Sequence, residues 1–360
     1  MGWLVLQDGK AFAGEKIGFW PHNGDQVIGE VVFNTSMSGY QEIITDLCCA
    51  GQILTFTHPH IGNYGWHQED SEAAKILLKG IIVRELSGGE GSLHADQSLE
   101  AFCRKKKIAG LKGVDTRALT RHIRNNGTMP GVLVEEMAEG LKFWQANTSQ
   151  VIHPAMPWAY QAGTAEEYVV PGKGPVLAIL DLGVKRSILS CLHNRGYSLH
   201  VFPAGTLAEE ILEIKPQGLV ISNGPGNPAE LSKIADNISN LLSKLPILGI
   251  GLGHQLIALA AGAGTYRLPF GHRGGNHPVQ NKNSGKVVIT FQNHGYAVSE
   301  ETLRRTGLEV LYTNLNDGTV EGLQHERYKI LTVQFHPQTA GEPAEHEEIF
   351  ALFDDMVKRG

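Results

Sequence analysis

The sequence predicts a two-domain α/β protein. A mixed α/β N-terminal domain precedes a C-terminal domain built on a mostly parallel, doubly wound sheet. Three observations carry this reading. From residue 174 onward, short apolar runs alternate with helical periodicities, the pattern of a parallel sheet covered on both faces. Before residue 138, strand and helix signals mix without that alternation. Between 139 and 173 the periodicity fades, and Pro154, Pro157, Gly163, Pro171 and Gly172 punctuate the chain, as expected of a surface linker with some helix. The expected boundaries are therefore 1–138, 139–173 and 174–360, and 360 residues suffice for two full cores.

The N-terminal elements read in order. Residues 3–14 form a hairpin turning at Asp8-Gly9. Val27 to Asn34 alternates and is rich in Val, hence a strand. Ala73 to Glu85 is apolar, with Ile82-Val83 near its end, and reads as another. Leu99 to Lys107 has helical spacing. Asp115 caps a helix over 116–125 that Gly127 closes.

In the C-terminal half, strands are expected at Val176–Leu180, His200–Pro203, Gly218–Ser222 and Leu248–Ile250. Helices are expected at Lys185–Arg195, Leu207–Lys215 and Glu230–Leu245. Later strands, Lys286–Gln292 and Lys329–Phe335, deliver Asn293 and His336. Ligands of such sheets sit beyond the C-terminal strand ends. Asn223-Gly224-Pro225-Gly226 and Gly251-Leu252-Gly253 fall at two of them.

Composition narrows the function. Hydrophobic residues make up 42% and charged residues 19%, a globular rather than disordered balance. A net charge of −6 argues against a nucleic-acid surface. No apolar run approaches membrane-spanning length, and the N-terminus has no basic stretch of a signal peptide. Cys48, Cys49, Cys103 and Cys191 fit neither a zinc pattern nor a disulfide framework, so reduced thiols and a cytoplasmic location are expected. His58, His60, His272, His277 and His294 show no H-x-x-x-H spacing and no carboxylate or cysteine partners in register, so no metal is expected. Gly271 to Gly275 lacks the lysine of a phosphate loop, so no nucleotide is expected there.

The most informative stretch is Gly249-Ile250-Gly251-Leu252-Gly253-His254-Gln255. A buried strand, a sharp glycine turn and an apolar helix over 255–262 make the layout of a nucleophile elbow. Its central residue normally carries the attacking atom. Here that residue is Gly251, which has no side chain.

The C-terminal half resembles a class I, triad-type glutamine amidotransferase, whose elbow reads G-I-C-L-G-H-Q. Nearly the whole chain resembles the glutamine-hydrolysing small subunit of carbamoyl-phosphate synthetase. Matching runs, in the family's order, are 32–42, 60–65, 115–117, 181–186, 222–228, 270–278 and 292–296, with His336-Pro337 completing the set. The resemblance implies a thiolate nucleophile at position 251, a general base at His336 and an orienting carboxylate at position 338. Gly251 and Gln338 supply neither the thiol nor the charge. A glutamine can still hydrogen-bond an imidazole but does not stabilise imidazolium. Where the family has Asp-Pro-Ser, whose serine contacts glutamine, this chain has Asp46-Leu47-Cys48.

The remaining pocket positions implied by the resemblance, Gly224, Gly226, Leu252, Gln255, Asn293, Gly295 and Tyr296, match. They imply a site for glutamine or a related amino acid. The expectation is a subunit degenerate as a glutaminase, docked through its N-terminal domain on a large synthetase subunit that holds ATP and Mg and takes ammonia or another amine. This chain itself is expected to need no cofactor. The alternatives are an active glutaminase using Cys48 or water, and a stand-alone amino-acid-binding protein.

Overall fold

The computed structural model describes residues 1–21, 26–88, 95–147, 154–325, 327–338 and 343–359, of which 343–347 are described as backbone only. The chain divides into two compact units, Met1–Pro154 and Ala155–Gly360. Among the described residues no helix is long and apolar enough to cross a membrane.

The first unit is a closed seven-stranded barrel with helices around it. Its chain order is β1 (Gly2–Leu6), β2 (Ala11–Gly18), β3 (Val27–Asn34), α1 (Tyr40–Thr45), β4 (Gln52–Phe56), β5 (His60–Ile61), β6 (Gly80–Ile82) and β7 (Glu85–Leu86). It continues with α2 (Leu99–Lys105), β8 (Ala109–Lys112), α3 (Thr116–Asn126), β9 (Met129–Val134) and α4 (Met137–Ala146). The barrel order is β1-β2-β8-β6-β4-β3-β9, and β5 and β7 form a separate ribbon. Closure removes the exposed strand edges that short strands would otherwise leave. The hairpin at Asp8-Gly9 and strand β3 form as expected; Gly9 takes φ +86°. Asp115 caps α3 by accepting from the Ala118 amide at 2.9 Å, and Gly127 closes the helix with φ +86°.

Two expectations need correction here. The stretch 73–85 yields the three-residue strand β6 and the first residue of β7 rather than one strand. The segment 139–173, read as a surface linker with some helix, is helical in two places and partly buried. Helix α4 belongs to the first unit, where Trp144 is buried against Val5, Val132 and Val134. Its indole N–H donates to the Val5 carbonyl at 2.9 Å. A second helix, α5 (Trp158–Ala162), buries Ala159 and Ala162 in the second unit. Residues 148–153 of that segment lie outside the described residues.

The second unit is a ten-stranded sheet with helices. It runs β10 (Tyr168–Val170), β11 (Val176–Asp181), α6 (Arg186–Asn194), β12 (Ser198–Pro203), α7 (Ala208–Glu213), β13 (Gly218–Ile221), α8 (Ser232–Ser239), β14 (Ile247–Ile250) and α9 (Leu252–Ala260). Strands β15 (Thr265–Asn281), β16 (Val287–Val298), β17 (Glu309–Asn314), β18 (Val320–His325) and β19 (Ile330–Val333) follow, then α10 (Pro343–Lys358). The sheet order is β10-β12-β11-β13-β14-β19-β18-β16-β15-β17. Strands β12, β11, β13, β14 and β19 are parallel neighbours. This is the alternating α/β core read from the sequence, and its strands are buried on both faces by two apolar clusters. Beyond β19 the sheet turns antiparallel, through β18, β16, β15 and β17. The helix expected over 230–245 is shorter, a 3-10 turn at Pro228–Leu231 followed by α8 ending at Ser239.

Candidate amidotransferase site

Strand β14 is central in the parallel core, and its carboxyl end carries the turn at Gly251. Gly251 takes φ +57° and ψ −110°, a conformation that side chains other than glycine reach only with strain. The turn is held by backbone bonds. The Gly251 N–H donates to Val333 O at 2.9 Å, Gly253 N–H to Ser222 O at 3.1 Å, and Gln255 N–H to Gly251 O at 3.3 Å. Thus the elbow is tied to the ends of both neighbouring strands.

The glycines of this elbow are not equivalent. A Cβ on Gly253 would fall 2.1 Å from the carbonyl oxygen of Ile221, and one on Gly249 2.5 Å from Ile257 Cδ1. Close packing requires those two. A Cβ on Gly251 would meet nothing nearer than Asn223 Cβ, at 3.3 Å. Position 251 therefore keeps room for a side chain on its positive-φ turn.

His336 follows three residues after β19, whose Val333 pairs with Ile250 at the foot of the elbow. It is buried, with 2% exposed, and its backbone N–H donates to Phe291 O at 3.0 Å. Its ring lies 5.9 Å from the Phe291 ring, and the Lys185 ammonium lies 5.3 Å from the same ring centroid. Gln338 is partly buried. Both polar atoms of its amide are shielded from solvent and make no hydrogen bond among the described residues. The hydrogen bond to the imidazole that glutamine still permits at this position is thus not made.

The implied pocket residues of the second unit lie on α9, on β16 and in the loop that follows β13. Leu252, Gln255 and Asn293 are buried. The Gln255 amide N–H₂ donates to Tyr296 O and to Gln334 Oε1, both at 2.8 Å. Gly224 lies against Leu182, where a Cβ would come 2.3 Å from the Leu182 carbonyl oxygen. Gly226 takes φ +102° in the same loop. Gly295 precedes Tyr296 on β16, and the Arg273 guanidinium lies beside it. Cys48 belongs to the first unit, buried in a 3-10 turn, its N–H donating to Asp46 Oδ1 at 2.9 Å.

Lys185 received no role from the sequence, although it lies in the matching run Asp181 to Arg186. It is 2% exposed. Asp181 shapes its loop by accepting from Gly183 and Val184 N–H at 2.8 Å each, and Asn223 donates to Gly183 O at 3.0 Å. A buried ammonium thus stands over the same ring that His336 approaches. None of the four cysteines forms a disulfide.

The histidines also depart from expectation. Register pairs His272 on β15 with His294 on β16, and their rings stand 5.0 Å apart. His277 joins them, 4.9 Å from His272. Two carboxylates, Asp317 and Glu321, reach His272 from the β17–β18 connection and from β18. Linear spacing hid this grouping, because it depends on a bulged 17-residue strand.

Comparison with known proteins agrees with this geometry. Residues 4–133 match the carbamoyl-phosphate synthase small chain, CPSase domain, and residues 178–356 match glutamine amidotransferase class-I. The chain is similar to the carbamoyl phosphate synthase small chain of Listeria monocytogenes serotype 4b, 42% identical over 360 residues, covering 98% of this chain and 96% of that one. It is also similar to the carbamoyl phosphate synthase pyrimidine-specific small chain of Halalkalibacterium halodurans, 43% identical over 361 residues, covering 99% and 96%. The chain belongs to the carbamoyl-phosphate synthase small chain family, with its class I glutamine amidotransferase domain.

Proposed function

We propose that this chain is a small subunit that no longer hydrolyses glutamine and instead supports synthesis from ammonia or another amine. It would do so as a structural or regulatory partner of a large ATP-using synthetase subunit. The observation that carries the reading is Gly251 at the apex of an otherwise intact elbow. Amide hydrolysis by this route needs an attacking atom, a proton shuttle, a group that orients the shuttle, and oxyanion donors. The turn's backbone and His336 remain. Position 251 supplies no attacking atom, and Gln338 supplies neither charge nor a hydrogen bond among the described residues.

In this reading the partner carries ATP and Mg, the complex is cytoplasmic, and the first unit contributes to docking. Gln255, Asn293 and Tyr296 would receive an amino-acid amide without cleaving it. The test is glutamate release by the chain alone and with its large subunit, beside the rate of synthesis from ammonia. Ammonia-dependent synthesis without glutamate release is the expected result. Glutamate release at the ammonia-dependent rate, abolished by Cys48→Ala, would establish a relocated thiol and overturn the proposal. Release that survives Cys48→Ala would also overturn it, in favour of water attack.

A further inference from the structure

We propose that His272, His294 and Glu321 form a zinc-type divalent cation site in the second unit, separate from the elbow. One donor atom from each lies within 4.8 Å of the other two. All three sit on the antiparallel part of the sheet. His272 and His294 are cross-strand partners on β15 and β16, and Glu321 comes from β18.

The hydrogen bonds prepare each side chain to bind a metal. His272 Nε2 donates to Asp317 Oδ2 at 2.8 Å and Nδ1 faces Glu321 Oε1, 3.5 Å away; although burial opposes it, the two carboxylates hold the ring protonated up to about pH 9, so a metal at Nδ1 would displace a proton. That Nδ1 is buried and makes no hydrogen bond among the described residues. His294 Nδ1 faces the Tyr296 carbonyl at 2.8 Å. A carbonyl only accepts, so Nδ1 carries a proton, and a metal would bind at Nε2. Carboxylate and carbonyl partners of this kind orient metal-bound imidazoles. Glu321 is fully buried and fixed by Gln292 Nε2 at 2.8 Å and Asn314 Nδ2 at 3.0 Å.

A further polar atom borders the group. His294 Nε2 lies 3.0 Å from Gln292 Oε1. The Gln292 amide is not free to turn. Its nitrogen donates to Glu321 and also to Thr290 Oγ1, whose own hydroxyl donates to His277 O. His294 Nε2 therefore meets a fixed acceptor at 3.0 Å, a contact satisfied either by a proton on Nε2 or by a cation that binds both atoms. Two imidazoles and a carboxylate, with Gln292 Oε1 or water completing the shell, suit a tetrahedral zinc ion. Such an ion holds its nitrogen and oxygen ligands about 3.3 Å apart, so the side chains would close by about an ångström. The site would clamp the β15–β16 hairpin onto β18. It touches the elbow through Tyr296 O, which Gln255 also engages.

The test uses the full-length, untagged chain and Zn²⁺ alone. Expected results are one zinc per chain in competition with a chromophoric chelator, a melting midpoint that rises with Zn²⁺ and falls with EDTA, and a tetrahedral visible spectrum with Co²⁺. Glu321→Gln and His294→Gln should abolish tight binding. Asp317→Asn, a milder change at a partly exposed residue, should keep the stoichiometry and weaken affinity about 10–100-fold. Because the cobalt spectrum is read on the unaltered chain, a variant that misfolds does not decide the matter. No uptake at micromolar Zn²⁺, an octahedral cobalt spectrum, or uptake equal in wild type and Asp317→Asn would overturn the proposal. So would a nitrogen spectrum showing His272 held as an imidazolium between Asp317 and Glu321 and indifferent to Zn²⁺.

Discussion

A Cβ built on Gly251 stops 3.3 Å from the Cβ of Asn223, whereas one built two residues later on Gly253 strikes the Ile221 carbonyl oxygen at 2.1 Å. One elbow glycine is spared by chemistry and the other required by packing. Alanine substitution should separate them. Gly251→Ala meets a neighbour that must give by a few tenths of an ångström, plus a positive φ, and should cost about 1–2 kcal/mol. Gly253→Ala pushes helix α9 off strand β13 and should cost about 3 kcal/mol or more. Urea unfolding of both variants checks the order, and equal losses would refute it.

The same space sets the expectation for restoring a nucleophile. Gly251→Cys should fold, react with iodoacetamide and remain a poor glutaminase. Adding Gln338→Glu should raise glutamate release by at least about tenfold over the single variant, because a carboxylate stabilises the imidazolium that an amide does not. Loss of an orienting carboxylate costs about 10⁴ in a serine triad, so a tenfold recovery is a modest expectation. Full activity from Gly251→Cys alone would mean that Gln338 is no loss.

Much of this was legible in the sequence, for identifiable reasons. Strands such as Ile247–Ile250 are buried on both faces and read as continuous apolar runs, so the parallel core stood out. Asp115 and Gly127 marked both ends of α3 by local chemistry alone. Of the antiparallel half only the start of β16 showed, since β15 carries Pro269, Pro278, three glycines and polar residues along a bulged course. Helix α4 was hidden because its buried face rests on Gly140 and Trp144 rather than on an aliphatic stripe. The His272–His294–Glu321 grouping depends on the register of three strands that no spacing rule encodes. The distinction among Gly249, Gly251 and Gly253 required knowing which backbone passes beside each.

Acid should expose the histidine of the elbow helix. His254 is fully buried, its Nδ1 2.7 Å from Thr332 Oγ1, while Nε2 has no hydrogen-bond partner among the described residues. Burial pushes its pKa down to about 3. The unfolded chain binds a proton at this residue below about pH 6.5, whereas the folded chain resists until about pH 3. Its contribution is therefore neutral at pH 7 and falls as pH drops through that window. Between pH 7 and pH 5 the loss should reach about 2 kcal/mol. His254→Gln removes this term, so its stability deficit relative to wild type at pH 7 should shrink by about that amount at pH 5. Urea titrations at the two values measure it, and an unchanged deficit would place His254 in contact with water.

The pocket's remaining polar groups bear on whether glutamine still binds. Gln255 is held by Tyr296 O and Gln334 Oε1, and Asn293 lies buried on β16, so the amide groups are positioned before any ligand arrives. Ligand pockets of this kind are usually largely preformed. Without a thiol at position 251, binding would be reversible, and Cys48 in place of a serine would weaken one polar contact. Affinity should be modest, with Kd in the rough millimolar range, about −4 kcal/mol. Calorimetry on the complex with its large subunit should show that heat, and glutamine should change the ammonia-dependent rate without being consumed. Gln255→Ala should remove both effects while leaving synthesis from ammonia intact. No heat and no rate change at tens of millimolar, roughly ten times that Kd, would leave the pocket without a ligand and the chain a scaffold for its partner.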